Sequence, residues 1–208
     1  KNAVEEGLRY VNNDACYPTI VALGQVISEL KSGKHDLSRT AVVLSQTGGQ
    51  CRASNYITLL RKALTDLKME QIPVISFSWT GIEKNPGFPI TPNLIKRGGI
   101  SLLYGDVLMR ILYATRPYEE VEGSADALAA KWAEAALDNV KNGSLRIMRK
   151  NIRQMVKEFD ELPLKNIRKP KVGVVGEILV KYHPMANNDI VSVIENEGGE
   201  AVVLDLMD

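Results

Sequence analysis

The sequence predicts an α/β protein built on a Rossmann-like, doubly wound parallel sheet, with additional helices toward the C-terminus and the start of a second Rossmann-like unit after them. Three observations predict it. Short β-branched runs such as Thr40-Ala41-Val42-Val43-Leu44-Ser45 alternate with stretches of helical period, an order that gives parallel strands joined by right-handed crossovers. Gly, Pro, Asn and Asp punctuate the junctions. The strand pattern restarts at Lys171-Val172-Gly173-Val174-Val175-Gly176 after a helix-rich stretch.

Residues 8–11 read as a short strand, broken by Asn12-Asn13-Asp14. Pro18 suits the first turn of a helix. Val21, Ala22, Val26, Ile27 and Leu30 carry that helix at apolar spacing, and Lys31-Ser32-Gly33 closes it. Residues 40–45 form a continuous apolar run, the mark of a strand buried on both faces. Gln46-Thr47-Gly48-Gly49-Gln50 is a loop, and residues 52–68 are a helix with Ile57, Leu60 and Leu64 on one face. Residues 72–77 are a third strand, with Pro73 confined to its start or to an edge. A Gly/Pro-rich loop over 81–91 leads into helices over 92–113, 125–140 and 145–159. Ser124 is placed to cap the second of these. Residues 162–170 read as a linker. Beyond it come a strand at 171–176, a helix at 189–196 closed by Gly198-Gly199, and a strand at 201–204. The expected organisation is a Rossmann-like domain over 1–168, carrying Cys16 and Cys51, and the truncated beginning of a second Rossmann-like domain over 169–208. A β-α-β unit of that size cannot bury a core of its own.

Bulk properties exclude several functional classes. A chain of 208 residues that is 45% hydrophobic can bury a core. A net charge of +1 gives no global basic field, so nucleic acid is not an expected partner. No apolar run approaches the roughly 20 residues of a membrane span, so no membrane association is expected. The chain opens polar and without Met, which reads as an excised piece of a longer protein without a signal peptide. Two cysteines do not make a disulfide scaffold, and a reducing cytoplasm is the expected compartment.

The cysteines carry the candidate chemistry. Asn12-Asn13-Asp14-Ala15-Cys16-Tyr17-Pro18 and Gln46-Thr47-Gly48-Gly49-Gln50-Cys51-Arg52 each follow an expected strand and open an expected helix. In doubly wound sheets that edge binds ligands. Helix starts present unpaired N–H groups and favour the thiolate form that iron and zinc bind. Gly48-Gly49 lets a bulky ligand or an anion such as a phosphate approach the backbone. The thiols lie far apart in sequence, so any site using both is assembled by the fold. Spacing alone leaves open a ligand or redox role and simple core packing, the ordinary fate of a free cysteine.

Other residues have two readings each. Arg52 is an anion or cluster partner, or a surface arginine. Asn13 and Asp14 contact a ligand or cap a helix. Tyr17 and Tyr56 pack. Arg116-Pro117-Tyr118-Glu119 is an active-site loop or a corner between helices. His35 is solvated, and His183 follows the fourth strand at the functional edge of the sheet. The basic helix from Arg146 to Lys157 lacks interleaved aromatics and reads as a solvated face.

Several segments resemble one family. They are Tyr10-Val11-Asn12-Asn13-Asp14-Ala15-Cys16-Tyr17-Pro18 with Gly24-Gln25, and Gln46-Thr47-Gly48-Gly49-Gln50-Cys51-Arg52-Ala53-Ser54-Asn55-Tyr56. They continue with Tyr104-Gly105-Asp106, Arg116-Pro117-Tyr118-Glu119, and Val172-Gly173-Val174-Val175-Gly176-Glu177-Ile178 through His183-Pro184 and Asn187-Asn188. Together they resemble the long, fused activators of 2-hydroxyacyl-CoA dehydratases, the CoA-substrate-specific enzyme activases. The resemblance implies N-terminal ATPase modules outside this chain as partners, with a dehydratase subunit as a possible second partner. It implies that the portion present is similar to dehydratase subunits, Rossmann-like domains around a cysteine-ligated iron–sulfur cluster. Cys16 and Cys51 would then be ligands of a 4Fe-4S or double-cubane cluster in the full-length protein, with Gly48, Gly49, Arg52 and Asn13 around it. The cluster would pass a low-potential electron to a CoA-thioester-type substrate or partner. Such a cluster takes about four ligands. This chain offers two, so the others would come from missing sequence, another subunit, exogenous ligands or substrate, and this piece alone need hold no cluster. The competing expectation is a non-catalytic domain that docks the ATPase modules or a dehydratase, with both cysteines buried and inert.

Overall fold

Ala3, Gly7 and Val11 recur at four-residue spacing, and all three are buried. That is the stripe of a helix. The computed structural model describes residues 3–45, 55–77 and 88–207. In it Ala3–Leu8 form helix α1, and the turns that follow carry the N–H groups of Tyr10 and Val11 back to the Gly7 carbonyl at 3.0 and 3.1 Å. The strand expected at residues 8–11 is therefore absent. The glycine spaced to let two helices touch outweighs the strand propensity of Tyr10 and Val11.

Helix α2, Tyr17–Leu30, runs as expected, with Pro18 in its first turn. It crosses α1 at backbone contact. A Cβ on Gly24 would lie 1.7 Å from the Ala3 carbonyl oxygen, and one on Gly7 would lie 2.1 Å from that of Ile20. Strand β1, Val42–Ser45, pairs in parallel with β2, Val74–Phe77, with Val42 opposite Val74 and Ser45 opposite Phe77. Helix α3, Tyr56–Asp66, connects them. Pro73 sits just before β2, where its carbonyl accepts from the Val42 N–H at 2.9 Å and its missing N–H costs nothing. The core gathers Val11, Ile20, Leu23, Ile27, Leu30, Leu60, Ala63, Leu64 and Ile72, with Val42, Leu44 and Val74 packed on it. The other face of β1 leaves Val43 half exposed. Burial on both faces, expected from the apolar run, does not hold for this strand.

The chain divides between Pro89 and Ile90 into two compact units. The boundary expected at 168/169 falls inside the second. This unit opens with α4, Pro92–Thr115, whose Thr91 hydroxyl accepts from the Leu94 N–H at 3.1 Å. A 3-10 turn over Arg116–Tyr118 follows, then α5, Ser124–Asn142, and α6, Leu145–Asp160. The three helices enclose Ile100, Tyr104, Trp132, Met148, Met155 and Phe159. Ser124 does not cap α5. The carboxylate of Glu119 does, accepting from the N–H groups of Gly123 and Ala125, both at 2.8 Å.

The final segment holds β3, Lys171–Val174, α7, Ile178–Tyr182, α8, Ile190–Asn196, and β4, Glu200–Val203. The two strands pair in parallel, with Val174 opposite Val203. Their cluster of Val174, Val191, Ile194, Ala201 and Val203 is completed by Met109 and Tyr113 of α4. A segment too small to bury its own core has used a neighbouring helix. The architecture is mixed α/β with two small parallel two-stranded sheets. No helix among the described residues is long and apolar enough to cross a membrane.

Candidate functional site

Cys16 is the N-cap residue of α2, with extended backbone, and its carbonyl accepts the N–H groups of Thr19 at 3.0 Å and Ile20 at 3.3 Å. The helix start expected there is present; the strand behind it is not, because α1 takes its place. The sheet-edge argument therefore does not apply to Cys16. The thiol is half-buried. Its sulfur lies 2.8 Å from the hydroxyl of Thr19, a fully buried residue one turn into the helix.

The turn before Cys16 is closed by Asn12. Its carbonyl accepts from the Ala15 N–H at 2.9 Å and its side-chain oxygen from the Asp14 N–H at 3.2 Å. Asn13 points out, exposed. Cys51, Gly48, Gly49 and Arg52 lie outside the described residues; the strand expected before them is β1, ending at Ser45. Among the described residues no three His, Cys, Asp or Glu side chains converge as a metal-binding group.

An iron–sulfur cluster can be tested against this donor set. Cys16 presents a sulfur at a helix start, the right ligand type in a favourable field. A four-iron cluster nevertheless needs about four such ligands, and the chain contains two cysteines in all. The residues present fit part of the group, and no chemical step can be derived through it.

Five further motif residues, Tyr104, Asp106, Arg116, Tyr118 and Asn187, make bonds that hold the second unit together. The Arg116 guanidinium forks onto Glu195 through Nε to Oε2 at 2.8 Å and Nη2 to Oε1 at 3.0 Å, and Nη1 donates to Asp126 at 3.0 Å. Burial opposes its charge, but these two carboxylates outweigh burial and hold its proton more tightly than usual. The Tyr118 hydroxyl donates to Glu200 at 2.7 Å, and this bond, ahead of burial, raises its proton affinity. Lys171 pairs with the same carboxylate at 3.0 Å. The Tyr104 hydroxyl accepts the amide N–H groups of Asn139 and Asn151, both at 3.0 Å. Asp106, buried in α4, accepts the backbone N–H groups of Leu206 and Met207. Asn187 fastens the end of α7 to the start of α8 through the Val180 carbonyl at 2.9 Å and the Ile190 N–H at 3.2 Å. Of the histidines, His35 is exposed against Glu29 at 2.8 Å, and His183 ends α7.

A cleft of about 600 Å3 opens beside Arg116, lined by Glu119, Glu120, Asp126, Lys165 and Glu195 among others. The arginine at its wall is already matched by two carboxylates, Glu195 and Asp126. Sequence reasoning missed these pairings because their partners are distant; Glu195 lies 79 residues from Arg116.

Glu119 gives a pH test of this arrangement. Burial alone would raise its carboxyl, but the Ala125 and Gly123 N–H groups and the Ser124 hydroxyl more than offset that and hold it below the ordinary value of 4.5. A carboxyl with a lowered folded value contributes stability above the unfolded value and loses it as pH falls through the folded one. The melting temperature of the second unit should therefore fall as pH drops below the ordinary glutamate range. Glu119→Gln should start lower and show a shallower acid decline, read by calorimetry from neutral to acid pH; identical slopes would refute the assignment.

No family model, no curated protein and no solved structure matches this chain.

Proposed function

We propose that this chain is part of an iron–sulfur electron-transfer protein related to 2-hydroxyacyl-CoA dehydratases and their ATP-dependent activators. In this reading it supplies two thiolate ligands, Cys16 and Cys51, to a cluster completed by groups outside the chain. The observation that supports it best is Cys16 itself, a half-exposed thiol held at the start of a 14-residue helix. It stands within the longest described segment of the family resemblance. A bound cluster would supply one-electron chemistry at low potential. The chain's own part is to hold the Cys16 sulfur at the start of α2. The proposal extends to the fold, with each parallel strand pair a part of a doubly wound sheet. It also extends to a cytoplasmic setting and to partners, the ATPase modules of a longer chain and a dehydratase subunit.

The test is anaerobic reconstitution of the chain with ferrous iron, sulfide and excess free thiol, which supplies the ligands the chain lacks. The wild type should turn brown and retain iron through desalting. Cys16→Ala and Cys51→Ala should each lose at least half of that iron, because each removes one of the two protein thiolates. Equal retention in wild type and both variants would end the reading.

The contact with Thr19 favours a second reading, in which Cys16 packs against the helix and the domain only docks partners. Thiol titration separates the two. Labelling of Cys16 before denaturation belongs to an open site, and labelling only after denaturation belongs to packing.

A further inference from the structure

Helix α6 divides its circumference sharply. Met148, Met155 and Phe159 are buried in the three-helix core. On the opposite face Arg146, Arg149, Lys150, Arg153 and Lys157 are all exposed. Their spacing of three, four, seven and eleven residues from Arg146 aligns them in one stripe about 16 Å long. They line a shallow depression whose only other wall residue is Gln154.

Elsewhere in the unit several cations meet acids across the fold. Arg110 pairs with Asp205, Arg116 with Glu195 and Asp126, Lys131 with Glu158, and Lys171 with Glu200. On the stripe, Lys157 alone reaches an acid, Glu161 at 3.6 Å. Arg146, Arg149, Lys150 and Arg153 have no ion pair among the described residues. Like charges three and four residues apart work against a helix, so nothing in the fold requires this arrangement. Positive and negative residues nearly balance over 90–208 as a whole, so the stripe is a local segregation of positive charge against an acidic remainder.

We propose that this face of α6 docks an acidic face of another protein. Complementary charge is the first reason. The shoulders of the stripe are the second: Leu145 and Val156 on one side and Ile147 on the other are exposed apolar residues, and arginines beside apolar side chains are the composition of protein interfaces. Nucleic acid fits less well, because the stripe carries no aromatic side chain to stack a single-stranded base and the unit lacks the broad basic field that draws a duplex. A bilayer fits less well, because the apolar face of α6 that would insert is already buried in the core. The inference is independent of the cluster reading and holds whether or not iron binds.

The test uses the full chain and a fluorescein-labelled helical peptide of about five turns. The peptide carries Glu at positions i, i+3, i+4 and i+7 with Leu on both flanks. The comparison probes are a scrambled peptide of equal composition, a short RNA duplex of equal charge, and phosphatidylserine vesicles, all at physiological ionic strength. The ordered peptide should bind roughly tenfold more tightly than the scrambled one. R149E/R153E should abolish binding, R149Q/R153Q should weaken it, and K141E should leave it unchanged. All three variants should keep the wild-type melting temperature within a few degrees, since every altered side chain is exposed. Equal affinity for ordered and scrambled peptides would overturn the proposal. So would unchanged binding in R149E/R153E, or tighter binding of the RNA or the vesicles than of the ordered peptide.

Discussion

Gly24→Ala is expected to unfold the packing of α1 on α2 and to lower the stability of the first unit by about 3 kcal/mol or more, the upper range for overpacking. The added Cβ would lie 1.7 Å from the Ala3 carbonyl oxygen, 2.6 Å from its carbon and 2.8 Å from the Gly7 nitrogen. All three obstacles are backbone, so no rotamer change relieves them; α1 must move bodily or detach. Ala3, Gly7 and Val11 then lose their cover. The turn that presents Cys16 is strung between the two helices and loses one of its anchors. The usual sign of the substitution is the opposite, because glycine inside a helix costs about 0.5–1 kcal/mol relative to alanine. Gly98, Gly99 and Gly105 of α4 provide the internal control, since a Cβ at each meets nothing within 4 Å. Gly98→Ala should therefore hold or raise stability. The measurement is the urea midpoint of the full chain, together with limited proteolysis of residues 3–16. A Gly24→Ala protein as stable as the Gly98→Ala protein would show that the helices do not cross this closely.

That substitution also shows where the sequence was legible. Helices of clear helical period were readable: α2 by Val21, Ile27 and Leu30 with its closing Lys31-Ser32-Gly33, and α6 as a basic amphipathic helix over 145–159. Positive φ at Gly33, Gly143 and Gly198 matches the turns that close helices. The first strand was misread because Leu8-Arg9-Tyr10-Val11 has local strand propensity, whereas the helical stripe of Ala3, Gly7 and Val11 depends on a glycine whose use appears only when the second helix is in place. The cap of α5 was misread for a related reason. Ser124 is the right residue type, but the helix is entered through Gly123 with Ser124 as its first residue, and the Glu119 carboxylate five residues earlier takes the Gly123 and Ala125 N–H groups in charge-assisted bonds. Strand burial was overstated because an apolar run reports hydrophobicity and not what covers it. Of the candidate site, only the placement of Cys16 at a helix start was legible in the sequence and is seen in the structure. Cys51, Gly48, Gly49 and Arg52 fall outside the described residues.

Motif residues singled out between Tyr104 and Asn187 share one physical role in the structure. Asp106 holds residues 206 and 207 onto α4, Asn187 joins α7 to α8, and Glu119 opens α5. Polar residues spaced widely along a chain can suggest a reactive centre. Here Asp106, Arg116 and Tyr118 tie the final strand–helix segment to the helical bundle, while Glu119 and Asn187 close local turns; the small sheet buries too little apolar surface to hold itself.

Arg116→Ala should be the most damaging single change to that second unit, lowering its stability by about 3–5 kcal/mol, the cost of leaving a largely buried ion partner alone. The guanidinium joins three elements. It stands at the end of α4, forks onto Glu195 of α8, reaches Asp126 in the first turn of α5, and stacks 5.4 Å from the ring centre of Tyr113. The side chain of Glu195 keeps only 14% of its surface exposed, so its charge would lose its partner without gaining full hydration. Arg116→Lys should recover only part of the loss, because an ammonium cannot make the two parallel bonds of a planar fork. Glu195→Gln in the Arg116→Ala background separates the terms. If the stranded carboxylate carries the cost, neutralising it should restore a substantial share of the stability, and the double-mutant cycle should show strong coupling. Additive losses would place the damage in lost packing against Tyr113 instead. Urea titration of all four proteins in a Trp79→Phe background, so that fluorescence reports Trp132 in the core of this unit, gives the numbers directly.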